Sequence, residues 1–276
     1  MSQRFAGRRA IVTGASRGIG AGIAERLAAE GAAVVITART VDEHPTLPGS
    51  LNETAARLAE YGGTVGVVAA DLADGDDRAR IVPEAAELLG GPCDILVNNA
   101  AAAMYATPSA FPLKRRRITF EVNVHAPLDL AQAALPAMLE QGEGWIVNVS
   151  SRSAVHAPGP PFDQTGLGST IGIYGSSKAA LNRETNSLAH ELWGTGIRVN
   201  TVEPRAAVMS EGAEALAGHV IRDDQKESME QMVEATVCLC DCDESSTGAV
   251  HVSLDLVAER GLVVMTLDGT GPWVKA

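Results

Sequence analysis

Short apolar runs alternate with helical patterns along nearly the whole chain, and this alternation limits the fold more than any other feature. Runs such as Ala33-Val34-Val35-Ile36 are apolar on both faces, as is typical of strands buried in a parallel sheet. Regular strand–helix–strand units imply right-handed crossovers. The sequence therefore predicts one α/β domain over residues 1–276, with a doubly wound parallel sheet of about seven strands.

The pattern also predicts where each element lies. Strands are expected at 9–13, 33–38, 65–70, 94–98, 144–149, 197–202 and 249–254. Helices are expected at 18–30, 50–61, 76–89, 113–139, 170–193 and 224–240. A second apolar run near the C-terminus, at 262–266, is expected to add a segment at the edge of the sheet.

Composition and charge narrow the range of partners. Apolar residues make up 46% of the 276 residues, and the formal net charge is -12. This excess of acids argues against binding to nucleic acid or to an anionic membrane surface. The basic cluster Lys114–Arg117 is expected to be a solvated helix face, with a contact for an anionic substrate tail as the alternative.

No signal-peptide pattern and no apolar stretch of bilayer length is visible, so a cytoplasmic protein is expected. Four cysteines do not suggest a disulfide scaffold in a chain of this size. Three of them, Cys238, Cys240 and Cys242, have a spacing that matches no common zinc site. We therefore expect no metal.

The stretch Thr13–Gly20 joins the first strand to the first helix and has glycines at positions 14, 18 and 20. Glycines let the backbone approach a pyrophosphate closely, and a helix N-terminus offers free N–H groups. The spacing differs from the commonest dinucleotide fingerprint. Alone, this stretch is either a dinucleotide site or an ordinary glycine-rich turn.

Tyr174 and Lys178 are four residues apart in a helical pattern and share one face. An ammonium within about 4–6 Å of a phenol lowers the phenol pKa from its usual value of about 10. A tyrosine tuned in this way can act as a general acid/base. The alternative is an amphipathic pair at the edge of the core.

Polar residues follow two of the predicted strands, where ligands of open α/β sheets bind. Ser150 and Ser151 end one of them, and Asn98 and Asn99 end another. The serines could hydrogen-bond a substrate oxygen or could cap a turn.

Asn123 lies in the predicted helix 113–139, four residues before Pro127. Proline has no N–H, so the carbonyl of Asn123 loses its usual helical partner. That carbonyl could hold a water, or the position could be an ordinary proline kink.

Taken together, these residues resemble the classical short-chain dehydrogenases/reductases, which have a Rossmann-like fold. The motifs appear in the family's order: Thr13-Gly14-x-x-x-Gly18-x-Gly20, Asp71, Asn98-Asn99-Ala100, Asn123, Ser151 and Tyr174-x-x-x-Lys178. Each motif is weak alone, but the ordered set over residues 13–204 identifies the chain as a member.

The resemblance implies catalytic roles for four residues. Tyr174 would be the acid/base, and Lys178 would bind the nicotinamide ribose and lower the tyrosine pKa. Ser151, the second serine of its pair, would hold the substrate oxygen. Asn123 would hold a water in a proton relay to Lys178.

The resemblance also implies a nicotinamide dinucleotide, with Asp71 and Leu72 at the adenine. The second strand is followed by no carboxylate before Asp42. Arg17 and Arg39 could therefore fork around a 2′-phosphate, or could be solvated or stack on adenine. NADP(H) is favoured, with NAD(H) as the alternative. The full set of expected cofactor contacts is Gly14, Ser16, Arg17, Gly18, Ile19, Gly20, Arg39, Asp71, Leu72, Asn98, Ala100, Tyr174, Lys178 and Pro204.

A narrower resemblance rests on His44-Pro45-x-Leu47-Pro48-Gly49-Ser50 and on Glu203-Pro204-Arg205-Ala206-Ala207. These segments are similar to a subgroup that contains hydroxysteroid dehydrogenase-like protein 2 and citronellol dehydrogenase-like enzymes. This implies hydrophobic alcohol or carbonyl substrates and a homodimer or homotetramer. The alternatives are a non-catalytic dinucleotide-binding sensor or assembly protein, and a dehydratase or epimerase that uses the same tyrosine.

Substrate-site loops are expected near 100–112, 153–170 and 205–222. The gap from Ser151 to Tyr174 is longer than usual in the family, and the loop 156–169 is expected to absorb it. Arg205 stands where the family prefers glycine. Its positive charge would lie near the expected position of the nicotinamide carboxamide. Alternatively, the side chain could point to solvent or pair with an acid such as Glu203.

Overall fold

The computed structural model describes residues 3–162, 167–217, 221 and 226–275, and its main feature is a seven-stranded, wholly parallel sheet. Its strands are β1 (Arg9–Thr13), β2 (Ala33–Ala38), β3 (Val65–Ala69), β4 (Ile95–Asn98), β5 (Gly144–Val149), β6 (Ile197–Glu203) and β9 (Val250–Val252). A separate parallel pair consists of β7 (Ala207–Val208) and β8 (Lys226–Glu227). The spatial order is β3-β2-β1-β4-β5-β6-β9. The predicted fold class is confirmed.

Helices cover both faces of the sheet. They are α1 (Gly18–Ala29), α2 (Leu51–Ala59), α3 (Gly75–Leu89), α4 (Leu113–Phe120), α5 (Ala126–Gln141), α6 (Gly172–Glu191), α7 (Glu211–Ala217), α8 (Met229–Cys238) and α9 (Ser253–Glu259). Two 3₁₀ turns lie at Pro108–Ala110 and Arg152–Ala154.

The core has one apolar layer on each side of the sheet. Val12 packs with Ile23 of α1 and Val233 of α8, whereas the preceding Ile11 packs on the opposite side with Ile81 of α3 and Leu130 of α5. All six side chains are almost completely buried. Burying a side chain of this size contributes about 1.5–3 kcal/mol. This explains why the strands are apolar on both faces.

The predicted helix 113–139 is not continuous. A π-helical turn, Glu121–His125, separates α4 from α5, and Pro127 occupies the start of α5. Proline cannot donate to the carbonyl four residues earlier, and a π turn accommodates that missing hydrogen bond. Asn123 therefore lies in the π turn and not in a regular α-helix.

The C-terminal region also differs from the prediction. The strand expected at 249–254 is confirmed only as β9, since α9 begins at Ser253. Residues 262–266 form no strand of the main sheet, and Met265 makes only an isolated bridge with Pro272. Buried Arg26 holds this segment instead: it donates to the Met265 carbonyl at 2.9 Å and to Glu234 Oε2 at 2.7 Å.

Parts of three predicted segments lie outside the described residues. These parts are 163–166 of the 156–169 loop, 218–220 and 222 of the 205–222 stretch, and the expected start of the last helix at 224. The described part of that helix begins at Met229, after β8.

Among the helices that the structure describes, none combines the length and the apolarity that a bilayer crossing needs. All four cysteines are buried and free. Burial raises the pKa of Cys93 to about 12 and that of Cys242 to about 11, so these thiols stay protonated at neutral pH. Within the described residues, no group of three or more acids, histidines and cysteines has the arrangement of a metal site.

Candidate functional site

The site lies where β1 and β4 end side by side, because the order of strands reverses between them. Asn99 joins the two ends. Its side-chain amide donates to the carbonyls of Thr13 at 2.9 Å and Gly14 at 3.2 Å. The N–H groups of Asn99 and Ala100 both donate to Thr13 Oγ1 at 3.0 Å. Asn99 was absent from the predicted site, since only its place after a strand could have indicated this role.

The glycine-rich loop between β1 and α1 is packed so closely that side chains are excluded. A Cβ on Gly14 would lie 2.7 Å from the Ala100 Cα, and one on Gly20 would lie 2.3 Å from Asn99 Nδ2. Gly14 and Gly18 have φ values of 67° and 58°, which favour glycine. Arg17 makes no side-chain hydrogen bond to cap α1. The bare loop and uncapped helix start fit a pyrophosphate group.

The two arginines expected to fork around a phosphate have different surroundings. Arg17 donates from Nε to the Pro48 carbonyl and from a terminal nitrogen to the Gly49 carbonyl, both at 2.7 Å. Arg39 is 72% exposed and lies 4.0 Å from Asp71 Oδ2. In the described residues no contact joins the two guanidinium groups. Arg17 therefore fixes the loop after β2, and Arg39 is the exposed cation at the end of this strand.

The other expected cofactor contacts surround this loop. Asp71 is half-exposed and accepts a hydrogen bond from Ala73 N at 3.0 Å, while Leu72 is buried in the core. Ser16 is buried, and Ile19 packs against the core beneath the loop. Asp71 thus stays accessible at the end of β3.

A buried chain of amides links β4, β5 and α6. Asn98 Nδ2 donates to Asn148 Oδ1 at 2.9 Å, and Asn148 Nδ2 donates to Thr185 Oγ1 at 2.9 Å. The Asn98 Oδ1 atom is buried and has no hydrogen-bond partner among the residues that the structure describes. Asn98 therefore ties the strand ends together beneath the site.

Ser151, Tyr174 and Lys178 come together above the ends of β5 and β6. Tyr174 and Lys178 lie one turn apart on α6, with Lys178 Nζ 5.9 Å from the centre of the tyrosine ring. Ser151 lies beside the Tyr174 hydroxyl and lowers its pKa, while the Ser151 hydroxyl accepts hydrogen bonds from Ser153 N at 3.2 Å and Ser153 Oγ at 3.0 Å. The neighbouring Ser150 is buried, and its hydroxyl has no partner within the described part of the chain. The geometry thus favours Ser151 over Ser150 as the partner of the tyrosine.

The protonation equilibria differ from the expectation that Lys178 lowers the tyrosine pKa. Burial raises the pKa of Tyr174; the nearby Tyr105 adds to this, and the neighbouring Ser151 opposes it. Burial also lowers the pKa of Lys178 to about 7, while its Nζ donates to the Val149 carbonyl at 2.7 Å. A lysine that is half neutral near pH 7 stabilises a phenolate weakly, so the desolvation of Tyr174 dominates.

Asn123 connects the π turn to both sides of the site. Its Oδ1 accepts from Ala102 N at 2.7 Å, and its Nδ2 donates to Ser177 Oγ at 3.0 Å. Ser177 in turn donates to the Tyr174 carbonyl at 2.7 Å. The side chain of Asn123 thus fixes the 100–112 loop against α6. Ser177 was missed, because a serine inside a helix has no distinctive sequence pattern.

Comparison with known proteins agrees with this geometry. The family model for short chain dehydrogenase matches residues 8–217. The chain belongs to this family. This confirms the membership of the short-chain dehydrogenases/reductases that the sequence motifs predicted.

One relative of this short-chain dehydrogenase is hydroxysteroid dehydrogenase-like protein 2 of Bos taurus, 30% identical over 259 residues. That match covers 94% of this chain and 59% of the relative, so the chain spans about three fifths of the length of the curated relatives it matches. A short chain dehydrogenase from Burkholderia cenocepacia J2315, solved in complex with NADP, is 32% identical with a TM-score of 0.76, covering 90% of this chain and 97% of that one. One from Mycobacterium thermoresistibile is 28% identical with a TM-score of 0.79, covering 99% and 96%.

Where the family prefers glycine, this dehydrogenase has Arg205, directly after Pro204. The Arg205 side chain pairs with an acid, as one of the alternatives expected, but the acid is Asp255 and not Glu203. Glu203 pairs with Arg152 instead, at 3.0 Å. The N–H of Arg205 donates to Glu227 Oε2 at 2.8 Å, and burial raises the pKa of Glu227. The arginine charge is thus drawn toward α9.

The segment after β7 closes over the glycine-rich loop of the dehydrogenase. A Cβ on Gly18 would lie 2.9 Å from the Ser210 Cβ and 3.5 Å from Glu211 Oε2. That glutamate oxygen is buried and has no hydrogen-bond partner among the described residues. Ser210 and Glu211 lie in the predicted loop 205–222, but neither was predicted as an individual site residue, because nothing in their local sequence indicates this contact. They lie at the loop where a pyrophosphate is expected.

Proposed function

We propose that the chain is an NADP(H)-dependent oxidoreductase that interconverts a hydrophobic alcohol and its carbonyl compound. The placement of Ser151 beside the Tyr174 hydroxyl, with Lys178 buried one turn away and its Nζ 5.9 Å from the tyrosine ring, carries this proposal. It puts a hydroxyl that can hold a substrate oxygen beside one that can exchange a proton with it. The bound nicotinamide would supply or accept the hydride.

The protein groups would then act on the substrate oxygen alone. In reduction, Ser151 donates a hydrogen bond to the carbonyl oxygen, and Tyr174 transfers its proton to that oxygen. The raised pKa of Tyr174 keeps the proton on the phenol at neutral pH, which suits its role as an acid. In the reverse direction Tyr174 accepts the alcohol proton, and a charged Lys178 favours the phenolate.

Two observations support NADP(H) over NAD(H). The exposed Arg39 follows β2, and no carboxylate appears between it and Asp42. A ribose 2′-phosphate there would gain a charge-assisted hydrogen bond, whereas the usual acidic partner of the ribose hydroxyls is missing. Solved relatives with NADP bound are consistent with this assignment.

A hydrophobic substrate is supported by the loop that reaches the tyrosine. The rings of Tyr105 and Tyr174 meet edge to face at 6.1 Å, and Phe111 from the same loop is buried. Phe162, in the long loop after β5, is 57% exposed. Aromatic walls beside a few polar groups are typical of sites for small apolar ligands. We assign the 100–112 loop and the described parts of 153–170 and 205–222 to this wall.

A panel of terpenoid, steroid and acyl alcohols, assayed with each cofactor by nicotinamide absorbance, tests the function. With a substrate in hand, Tyr174→Phe should lower kcat by about 10²–10⁴ with little change in the Kd of NADPH, because only proton transfer is lost. Tyr105→Phe is the matched control, since it removes a neighbouring hydroxyl outside the proposed chemistry. Near-normal turnover by Tyr174→Phe would reject the mechanism.

Two other outcomes of the panel point elsewhere. Tight cofactor binding without turnover of any alcohol or ketone would indicate a non-catalytic sensor or assembly protein on the same fold. Product formation without net change in nicotinamide absorbance would indicate a dehydratase or epimerase that uses the same tyrosine. Assembly into a homodimer or homotetramer, which the family resemblance implies, is tested by measuring the mass in solution.

A further inference from the structure

Four consecutive cations, Lys114 to Arg117, open α4 and are all exposed. Within the described residues, their side chains make no hydrogen bond or ion pair. The chain has 34 acidic and 22 basic side chains, and several arginines elsewhere are paired with carboxylates. Examples are Arg8 with Glu143 and Arg80 with Glu84. Within the described residues, no carboxylate forms an ion pair with this cluster, although acids are abundant in the chain.

The placement of the cluster is also locally unfavourable. Cations in the first turn of a helix oppose the helix dipole, and α4 has no acid there to compensate. Sequences that break a local rule of this kind often do so at functional positions.

The cations divide between two faces of α4. Lys114, Arg117, Ile118 and Glu121 recur at the i, i+3, i+4 and i+7 positions and line a cavity of about 630 Å³, whereas Arg115 and Arg116 do not line it. The remaining lining residues are Leu113, Ala73 and Gly75. The cavity is wide open to solvent, and its volume is within the range found for small-ligand sites.

Among the described residues that line the cavity, the cations Lys114 and Arg117 outnumber the one acid, Glu121. Arg78 contacts Glu121 at 2.9 Å and also pairs with Asp129 at 2.8 Å. Within the described residues, neither carboxylate pairs with Lys114 or Arg117. Leu113, Ile118 and Ala73 add an apolar wall beside them. The loop that contributes Ala73 and Gly75 follows Asp71 and Leu72, so the cavity lies next to the expected adenine end of the dinucleotide site and outside it.

We propose that this cavity binds a phosphate group of a small molecule with an apolar body, with Lys114 and Arg117 as the anion ligands. The site is separate from Ser151 and Tyr174, and it does not depend on the proposed oxidoreductase chemistry. The ligand sits against the loop after β3, where it can influence the adenine side of the cofactor site.

Titration calorimetry with inorganic pyrophosphate tests the proposal on the intact protein. Lys114→Ala/Arg117→Ala should weaken binding by about tenfold or more, since two charge-assisted hydrogen bonds to the anion are lost. Arg115→Ala/Arg116→Ala removes the same charge from outside the cavity and should leave the Kd within about twofold, apart from a screened long-range effect. If pyrophosphate instead bound at the glycine-rich loop, its Kd would be the same for the two double variants.

Three results would overturn the proposal. The first is an equal loss of affinity in both double variants, which would show only a general charge effect. The second is binding to vesicles of anionic phosphatidylglycerol that depends on Lys114 and Arg117, in the absence of pyrophosphate binding. The third is a change in the mass of the assembly for Lys114→Ala/Arg117→Ala, again without pyrophosphate binding, which would make this face a contact between copies of the chain.

Discussion

Arg152 and Glu203 form an ion pair at 3.0 Å that joins the carboxyl ends of β5 and β6. The Glu203 side chain is 1% exposed, and that of Arg152, directly after Ser151, is about half exposed. A buried carboxylate is costly unless it is paired. The pair thus fixes the backbone that carries Ser151 to the neighbouring strand.

Loss of Arg152, the partner of the buried Glu203 carboxylate, should destabilise the protein. We expect Arg152→Ala to lower the free energy of unfolding by about 1–3 kcal/mol, a range reduced for the exposure of the arginine. Adding Glu203→Gln to Arg152→Ala should recover most of the loss, because it removes the unpaired buried charge. Urea unfolding of the three proteins measures this. If the double variant is no more stable than Arg152→Ala, the unpaired Glu203 carboxylate is not the cause of the lost stability.

Cofactor binding should take up a proton through Lys178. Burial holds the pKa of this lysine at about 7, so about one pH unit higher the amine is mostly neutral in the free protein. An anionic dinucleotide raises that pKa, and the complex therefore gains up to about one proton. Calorimetry in buffers of different ionisation enthalpy should show this uptake for NADP⁺, and Lys178→Met should abolish it. Identical heats in all buffers for the unmodified protein would contradict the assignment.

The two arginines near the cofactor should respond differently to substitution. Arg39→Ala should lower kcat/KM for NADP(H) by about 10- to 100-fold and leave NAD(H) nearly unchanged, as expected for one lost charge-assisted hydrogen bond. Arg17→Ala should impair both cofactors, because Arg17 holds the Pro48 and Gly49 carbonyls. An equal loss for both cofactors in Arg39→Ala would mean that Arg39 does not read the 2′-phosphate.

Glu211 should weaken dinucleotide binding. Its Oε2 lies over Gly18, where a pyrophosphate charge is expected and like charges repel. Glu211→Gln should therefore lower the Kd of NADPH by about two- to tenfold at low salt, and less at high salt because of screening. Glu214→Gln is the matched control on the same helix and is exposed. Unchanged affinity at low salt would show that Glu211 moves away when the cofactor binds.

Substitution of the buried Arg26 should lower the free energy of unfolding more than substitution of an exposed arginine. It is fully buried with Glu234 and binds the Met265 carbonyl, so Arg26→Ala leaves an uncompensated buried carboxylate. We expect a loss of about 3–5 kcal/mol in unfolding free energy. Arg57→Ala, which removes a half-exposed arginine that pairs with Glu25, should cost less than about 1 kcal/mol. Similar losses of unfolding free energy in both variants would show that burial of the ion pair does not determine its contribution to stability.

The sheet was predictable because strands such as Ala33–Ala38 are apolar on both faces and each is followed by a helical pattern. The break at Glu121–His125 was not, since periodicity cannot distinguish a π turn from an α-helix in one sequence. The proline argument did locate Asn123, although its side chain contacts Ala102 and Ser177.

Within the site, residues carried by local motifs were easier to find than residues brought in from elsewhere. Tyr174 and Lys178 share one helix, so their spacing already predicted their proximity. Ser210 meets Gly18 only through the tertiary fold, and nothing near it in sequence indicates this contact. The same holds for the carbonyl groups that bind Arg17.

The contacts of Asn99 have a consequence for how the site assembles. The glycine-rich loop follows β1, but the amide that fixes it comes from the end of β4, 86 residues later in the chain. An N-terminal fragment that ends before β4 would contain every loop glycine without the group that holds Thr13 and Gly14 in place. Dinucleotide affinity should therefore appear late in refolding, when β4 docks beside β1, and it can serve as a probe of that step.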